Sequence, residues 1–381
     1  MRKFFKGLIY TVIGLAVLVF IVSLTPLNYL IKGVYATYLH GENSATINDK
    51  EFFETELVRS DARTTLPWPE NLRSGLQPSP SLDTLLHETR TVAFAVFQHD
   101  TLVYEEYAQG YSRTSRTNSF SMAKTVTAML AEIAIENGSL HGWDQRVIEL
   151  LPDLQGPYAE ELTLDDLSKM RAGLDWNEHY TNAFGITAKA YYGENVHELL
   201  MNEVAVINPP GEVFEYQSGA TQLLGECVEA ATGRSLAELA SDWLWTPARA
   251  EDDAEWSTDD SHQILSYCCF HSNALDFARL GHILLRKGYW KNHLYMDSSA
   301  TKDFFNPIST DFYGRSIWLG EVDHHPFSYF RGVNGQFIIM VPDIDAVIVR
   351  LGHDRGPFDG ESTVPLIVSR MVKEYLEKLK E

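Results

Sequence analysis

The sequence predicts an α/β protein of the α+β type, with an antiparallel sheet formed by N- and C-terminal strands, flanking helices and a large, mainly helical insertion. Three observations predict this class. Two β-rich runs flank a turn within Thr91–Gly110, and a second such pair lies in Gly335–Gly352. Between these hairpins, apolar residues recur at helical spacing. The chain of 381 residues, of which 45% are apolar, is long enough to bury a folded core.

Residues 1–32 are predicted to form an N-terminal membrane anchor. Arg2, Lys3 and Lys6 precede an uncharged run from Gly7 to Ile31, and about 20 apolar helical residues suffice to cross a bilayer. A cleaved signal peptide is the alternative, but the run is long for a signal core and no small-x-small site follows it promptly. Since a basic flank stays in the cytoplasm, the rest of the chain is expected to be periplasmic, held at the inner membrane by a helix in the lipid bilayer.

The segment after the anchor, residues 33–80, is predicted to be an extended arm, because Leu66–Pro80 contains four prolines that prevent regular structure. The folded domain is expected over 81–381, with its sheet in 81–115 and 310–381 and its helical part in 116–309. Four strong helical patterns lie in the helical part, each with a glycine close to its end: Ser121–Asn137, Thr163–Leu174, Ala220–Gly233 and Ser272–Gly288.

Charge and motif content exclude several classes of function. A formal net charge of −21 repels phosphate backbones, so no nucleic-acid partner is expected. Neither a metal nor a cofactor is predicted, because the sequence has no HExxH, no cysteine–histidine cluster and no Walker or Rossmann glycine pattern. Cys227, Cys268 and Cys269 are too few for a disulfide framework and are expected to be buried thiols. Nothing in the sequence indicates the oligomeric state.

Two Ser-x-x-Lys pairs occur, Ser121 with Lys124 and Ser299 with Lys302. Ser299 follows Asp297 in a short segment that stops at a proline, which is typical of helix capping. Ser121 instead opens a helix that is apolar on nearly every face, which predicts burial. Burial disfavours the ammonium form of a lysine and lowers its pKa, and the i, i+3 spacing brings the two side chains to one face. The first pair is therefore the candidate for nucleophilic catalysis.

With these residues in view, the chain resembles the serine β-lactamase and penicillin-binding superfamily, on its class C and esterase side, whose nucleophile motif is Ser-x-x-Lys. Three further stretches follow in the family's order: Leu162–Trp176, Asn208–Ser235 with its Tyr216-Gln217-Ser218 triplet, and the strand pair Tyr329–Gly352. The resemblance covers about residues 80 to 381. In motif style it is closest to the branch that contains 6-aminohexanoate-dimer hydrolase and related carboxylesterases.

The resemblance implies a serine hydrolase that cleaves a small ester, an amide or a short peptide through an acyl-enzyme. Ser121 would be the nucleophile, Lys124 its base and Tyr216 a proton shuttle whose phenol pKa is expected to be depressed by the nearby ammonium. The backbone N–H groups of Ser121 and Val333 would form the oxyanion hole. Six residues are expected to bind substrate: Trp176, Ser218, Phe330, Gly332, Asn334 and Gln336.

Two departures from the family pattern narrow the expected activity. Ala172 stands where the family usually has serine. Phe330 stands where a lysine or histidine helps to hold the substrate carboxylate, and Arg331 is expected to project to the opposite side of the strand. Potent β-lactamase activity is therefore not expected. A D-alanyl or D-amino-acid peptidase acting on cell-wall peptides and a non-catalytic sensor domain of the same fold are the alternatives.

Overall fold

The computed structural model describes residues 2–380 and places eleven α-helices and twelve β-strands within them. The helices are α1 (Arg2–Ser23), α2 (Tyr29–Ala36), α3 (Pro80–Glu88), α4 (Met122–Glu136), α5 (Leu164–Ser168), α6 (Ile186–Tyr192), α7 (Val196–Glu203), α8 (Ser218–Thr232), α9 (Leu236–Ala240), α10 (Ala274–Leu285) and α11 (Leu366–Lys378). The strands are β1 (Glu54–Val58), β2 (Thr91–Gln98), β3 (Thr101–Tyr107), β4 (Thr117–Asn118), β5 (Ala254–Thr258), β6 (Phe270–Ser272), β7 (Tyr289–Trp290), β8 (His293–Leu294), β9 (Trp318–Val322), β10 (His325–Gly332), β11 (Gln336–Val341) and β12 (Ala346–Gly352).

The main sheet joins the two ends of the chain, which confirms the predicted fold class. Its six strands run in the order β3-β2-β12-β11-β10-β9, and every neighbouring pair is antiparallel. Side chains alternate between the faces of a strand, so the register divides the sheet into two apolar surfaces. One surface packs against α4 and α10, whereas the other packs against α3 and α11. The sheet is thereby buried on both faces.

The segment 33–80 is not the extended arm that its prolines suggested. It includes the last residues of α2, and it contributes β1 to a second antiparallel sheet of order β1-β5-β6-β4. Trp68 lies within the core at 5% exposure and donates its indole N–H to the carbonyl of Leu275 at 3.0 Å. The prolines suppress regular structure locally, but they do not prevent a large aromatic side chain from being buried.

The N-terminal helix α1 is long and apolar enough to cross a membrane by length and composition, and its side chains lie exposed instead of packing on the body. The following helix α2 is different, because it is fixed to the body. Tyr29 and Ala36 are buried, Lys32 forms an ion pair with Asp260 at 2.9 Å, and a side chain at Gly33 would press on the ring of Tyr192. The body therefore begins at α2, close to the end of α1.

The expectation of buried free thiols holds for Cys227 but is wrong for the adjacent pair. Cys268 and Cys269 are joined by a disulfide with an S–S distance of 2.10 Å. Cys269 has the left-handed backbone value φ 68°, a conformation uncommon outside glycine. A bond between neighbours closes no loop, so the count and spacing of cysteines gave no sign of it.

The burial of Trp68 leads to a testable prediction about the free energy of unfolding. Trp68→Ala should lower the free energy of unfolding by about 3–5 kcal/mol, because it removes a buried aromatic side chain and leaves a cavity. Leu72→Ala, in the same segment but at an exposed position, should change that free energy by less than about 0.5 kcal/mol. Urea denaturation of both variants and the parent chain measures this. Equal stability of the two variants would show that the segment is not part of the core.

Candidate active site

Ser121 lies where β4 turns into α4, and the preceding backbone is tightly held. Phe120 has φ 46°, a left-handed value that is costly for a bulky residue. Its N–H donates to Asn118 Oδ1 at 2.8 Å, and its carbonyl accepts the Ser119 hydroxyl at 3.0 Å. Ser121 occupies the N-cap position of α4, yet its hydroxyl makes no capping hydrogen bond. The turn therefore presents a serine oxygen that the helix does not use.

Lys124 lies one turn further along α4 and is 2% exposed. Its amine contacts three oxygens: Ser121 Oγ at 3.3 Å, Ser218 Oγ at 2.9 Å and the carbonyl of Tyr267 at 2.9 Å. Burial lowers the pKa of Lys124 from 10.5 to about 8, and the negative charge of Glu178 partly opposes that shift. An amine with a pKa near 8 is partly neutral at physiological pH, so it can accept a proton from the serine.

Tyr216 reaches the site from the loop before α8. Lys124 Nζ lies 5.2 Å from the centre of the Tyr216 ring, and Ser121 is close enough to hydrogen-bond with the phenol. The predicted depression of the Tyr216 pKa is wrong. Burial raises the pKa of Tyr216, and Glu178 raises it further, whereas the Ser121 hydrogen bond and the charge of Arg331 lower it less. The phenol is therefore a proton donor at neutral pH and not a phenolate.

A carboxylate that the sequence did not single out, Glu178, completes the polar network. Its Oε1 accepts the hydroxyls of Ser218 at 2.5 Å and Tyr180 at 2.8 Å. Its Oε2 accepts the backbone N–H of Ser218 at 2.7 Å and the indole N–H of Trp176 at 2.6 Å. Ser218 thus links the Lys124 amine to the Glu178 carboxylate. Glu178 follows a recognisable stretch by only two residues, but a single glutamate in a loop gives no sequence signal.

The two residues predicted to supply the oxyanion donors belong to the lining of one cavity. Ser121 and Val333 both line it. Within residues 2–380, neither the N–H of Ser121 nor that of Val333 has a hydrogen-bond acceptor. Free N–H groups at a helix start and on a neighbouring turn can together bind an oxygen that gains negative charge.

The turn that carries Val333 is fixed by hydrogen bonds from buried side chains. Gln336, predicted to bind substrate, is fully buried, and its side-chain amide donates to the carbonyls of Val333 at 3.2 Å and Gly352 at 2.7 Å. The buried Arg350 donates to the carbonyl of Gly335 at 2.7 Å. The assignment of Gln336 is therefore corrected from substrate contact to support of the turn.

Phe330 also lies away from the cavity. It is fully buried on the sheet face toward α4, in the apolar core, so its predicted substrate contact is wrong. Arg331 projects to the opposite side of β10 from Phe330, as expected, because it pairs with Phe337 of the other sheet face. Its guanidinium lies 4.4 Å from the ring centre of Trp318, which packs against Tyr216. Its charge accordingly lowers the pKa of Tyr216.

The other predicted substrate residues have mixed placements. Ser218 lines the cavity. Trp176 is buried behind it, where its ring would meet a side chain at Gly219 within 2.6 Å, so it supports the site from the second layer and does not contact substrate. Gly332 gives the predicted close approach, since a Cβ there would lie 2.1 Å from the carbonyl of Ser119. Asn334 donates its side-chain amide to the carbonyl of Ala45 at 3.1 Å.

The cavity in front of Ser121 has a volume of about 290 Å³. Ser121, Ser218 and Val333 line this cavity, together with Tyr267 and Cys268. The hydroxyl of Tyr267 is buried and has no hydrogen-bond partner in the described part of the chain. The cavity is also lined by α2 and by the region from 180 to 192. Neither of these segments was predicted from the sequence to lie near the site.

The second Ser-x-x-Lys pair has no such surroundings. The Ser299 hydroxyl donates to Asp297 Oδ1 at 2.6 Å at an exposed position. Ser299 precedes a short helical turn, Ala300–Phe304. The pair is thus part of a surface turn, as its sequence context indicated.

The fold and this site define a class: a serine hydrolase of the penicillin-binding and β-lactamase fold, with Ser-x-x-Lys at the start of a buried helix. The family model described as Beta-lactamase matches residues 82–370. The chain belongs to the β-lactamase family, which confirms the resemblance drawn from its motifs.

Individual relatives agree with this assignment. The chain is 25% identical over 297 residues to 6-aminohexanoate-dimer hydrolase of Paenarthrobacter ureafaciens, a match that covers 71% of this chain and 75% of that protein. Its fold is similar to the solved structure named "Putative 6-aminohexanoate-dimer hydrolase from Bacillus anthracis", with a TM-score of 0.77, 23% identity and coverage of 88% and 94%. A D-stereospecific amidohydrolase from Streptomyces has a TM-score of 0.58 at 14% identity, with coverage of 73% and 95%.

The contact between Lys124 and the Glu178 network predicts a measurable pKa. Lys124 should titrate near 8, and Glu178→Gln should lower its pKa further, because the variant removes the negative charge that stabilises the ammonium. Glu212→Gln, an exposed carboxylate outside this network, should leave the pKa unchanged. NMR titration of the Lys124 side chain measures all three values. A higher pKa in Glu178→Gln would contradict the electrostatic account.

Proposed function

We propose that the chain hydrolyses a small ester or amide through an acyl-enzyme on Ser121, with Lys124 as the general base. The observation that carries the proposal is the buried Lys124 amine, 3.3 Å from Ser121 Oγ. A serine hydroxyl is a weak nucleophile until a nearby base takes its proton. A lysine whose pKa is lowered to about 8 by burial supplies such a base.

The proposed acylation uses Ser121, which lines the cavity, with Lys124 and Tyr216 beside it. Ser121 Oγ attacks the carbonyl carbon while its proton passes to Lys124 Nζ, and the N–H groups of Ser121 and Val333 bind the oxyanion. When the carbon–leaving-group bond breaks, the neutral phenol of Tyr216 protonates the departing alcohol or amine. The Lys124 ammonium then returns a proton to Tyr216, so both groups regain their starting states.

Deacylation reverses the roles with water as the nucleophile. Lys124 takes a proton from water as its oxygen attacks the acyl carbon, and it returns that proton to Ser121 Oγ when the ester bond breaks. Ser218 and the carbonyl of Tyr267 hold the ammonium during each step, since both accept from its N–H groups. Glu178 stabilises the same ammonium through its charge.

The lining of the cavity supports a neutral ester or amide over a cell-wall peptide. Among the described residues, no aspartate, glutamate, lysine, arginine or histidine lines the cavity. A peptide that ends in a free carboxylate would therefore find no ionic partner there, and its desolvation would be costly. The names of the relatives, one a dimer hydrolase and one an amidohydrolase, agree with cleavage of an amide.

We assign α1 the role of a membrane anchor. Its basic flank would remain in the cytoplasm, which places the catalytic domain in the periplasm. The exposed, apolar surface of α1 supports this assignment, because burial in a bilayer would remove that surface from water.

Covalent labelling tests the nucleophile. A fluorophosphonate probe should label the parent chain, and Ser121→Ala should abolish labelling. The other hydroxyl on the Lys124 amine, that of Ser218, donates its proton to Glu178 and is not expected to replace the nucleophile. Ser299→Ala is the matched control, since it removes a serine with the same spacing to a lysine. Mass spectrometry of the labelled peptide locates the adduct. A folded parent chain that stays unlabelled would argue for the non-catalytic alternative.

The role of Tyr216 is tested by deleting its hydroxyl. Tyr216→Phe should lower kcat for an amide by about 10²–10⁴-fold, because a poor leaving group depends on proton donation. Fluorophosphonate labelling of Ser121 should persist in this variant. The control is Tyr313→Phe, because Tyr313 packs against Tyr216 but, unlike Tyr216, contacts neither Ser121 nor Lys124 in the described structure. Equal kcat values for the two variants would rule out the proton-donor role.

A further inference from the structure

The cavity in front of Ser121 is walled by the helix that directly follows the proposed membrane span. Leu30, Gly33 and Val34 of α2 line it, as do Thr37 and Tyr38 beyond the end of that helix. The burial of Tyr29 and Ala36, with the ion pair of Lys32, fixes α2 against the body. The juxtamembrane segment is thus a built part of the site.

The chemistry of this cavity suits a hydrocarbon chain. Its lining lacks charged side chains throughout the described residues, although the whole chain carries a net charge of −21. The groups that could bind an ester or amide lie on Ser121, Tyr267 and Val333, within a lining that is predominantly apolar. A mostly apolar cavity with a few polar groups fits a substrate with one polar bond and a long apolar chain.

The mouth of the cavity is apolar as well. Val34 and Tyr38 line it from the α2 side, and Tyr180 lines it from the other wall. All three are exposed, as is the neighbouring Phe184. Exposed aromatic and apolar side chains that rim a cavity mark a surface for an apolar ligand or a membrane.

The chain also limits how far this mouth can lie from a bilayer. α1 ends at Ser23 and α2 begins at Tyr29, so five residues join them. Even fully extended, five residues span at most about 17 Å, and these residues make turns, with Leu24, Thr25 and Asn28 donating to carbonyls three residues back. If α1 crosses the bilayer, α2 lies at the membrane surface.

We infer that the substrate is a membrane-resident ester or amide with a long apolar acyl chain, which enters from the bilayer surface beside α2. This inference rests on the proposed function and names its substrate class. Ser121 attacks the acyl carbonyl, the alcohol or amine leaves with a proton, and water releases a long-chain carboxylic acid. The acyl chain occupies the space between α2 and the region from 180 to 192.

The first experiment uses the full chain in neutral phospholipid vesicles with two esters of one leaving group, umbelliferyl butyrate and umbelliferyl oleate. Each buried methylene strengthens binding about fourfold, so kcat/KM for the oleate should exceed that for the butyrate by about tenfold or more. Oleate in the same vesicles as the protein should also react faster than oleate in separate vesicles at equal total concentration. Equal rates for oleate in the protein's own vesicles and in separate vesicles would overturn the inference that the substrate enters from the bilayer.

The second experiment changes the wall. Val34 is 46% exposed, so Val34→Asp should fold while placing a charge at the mouth. It should lower kcat/KM for the oleate about tenfold and that for the butyrate by a clearly smaller factor, because a short chain has less contact with the wall. The control is Leu39→Asp, at an exposed position of the same segment outside the cavity, which should change neither value.

The outcomes separate this inference from the proposed function. Hydrolysis of butyrate at least as fast as oleate, or an equal loss on both esters in Val34→Asp, would overturn the long-chain substrate and leave the serine hydrolase intact. Absence of turnover for both esters, together with no fluorophosphonate labelling of Ser121, would overturn both. Because the two esters are compared on the parent chain, the long-chain substrate can be tested even if a variant does not fold.

Discussion

The site is organised around an amine enclosed by protein. Lys124 has almost no contact with water, and its three oxygen partners come from α4, from the start of α8 and from the backbone at Tyr267. None of these partners is an anion, so desolvation dominates and the pKa falls. A carboxylate in direct contact would have returned the pKa toward that of a free lysine. Glu178 is instead held one hydroxyl away, on the far side of Ser218.

This arrangement places demands on the rest of the fold. The loop before α8 must deliver Tyr216 and Ser218 together, and Glu178 anchors that loop by accepting from the Ser218 N–H and the Trp176 indole. On the opposite side, Gln336 and Arg350 bind the carbonyls of the turn that carries Val333. Phe120 adopts a left-handed backbone conformation to turn β4 into α4. The conformational strain of the Phe120 backbone is thus offset by hydrogen bonds among several distant segments.

The parts of this architecture that could be predicted from sequence are those encoded by local periodicity or by motif order. The two terminal hairpins and the buried helix after Ser121 carry strong local patterns, and they appear as expected. The pairing of β1 with β5 joins residues about 200 positions apart, and short strands without alternation give no hint of such a partner. The position of Glu178 and the Cys268–Cys269 bond depend on how loops pack, which spacing does not encode.

The predicted substrate contacts show the same limit in more detail. Gly332 and Val333 are placed by the backbone geometry of the turn, and they lie where the motif indicated. Phe330 and Gln336 were assigned from their nearness to that turn in sequence. Residues that are close along a strand can point in different directions, however. The side chains of Phe330 and Gln336 are both buried within the protein and do not line the cavity. Much of the cavity lining instead comes from residues 29 to 45 and 180 to 192, which lie outside the motifs.

That lining connects catalysis to the N-terminal segment. A lysine remains a usable base only while water is kept from it, and the cavity beside it is covered on one side by α2. The same helix is tied to the body by buried residues and the Lys32–Asp260 ion pair. The packing of α2 therefore has a chemical consequence, since it brings an apolar cover to a serine and a lysine that require dry surroundings.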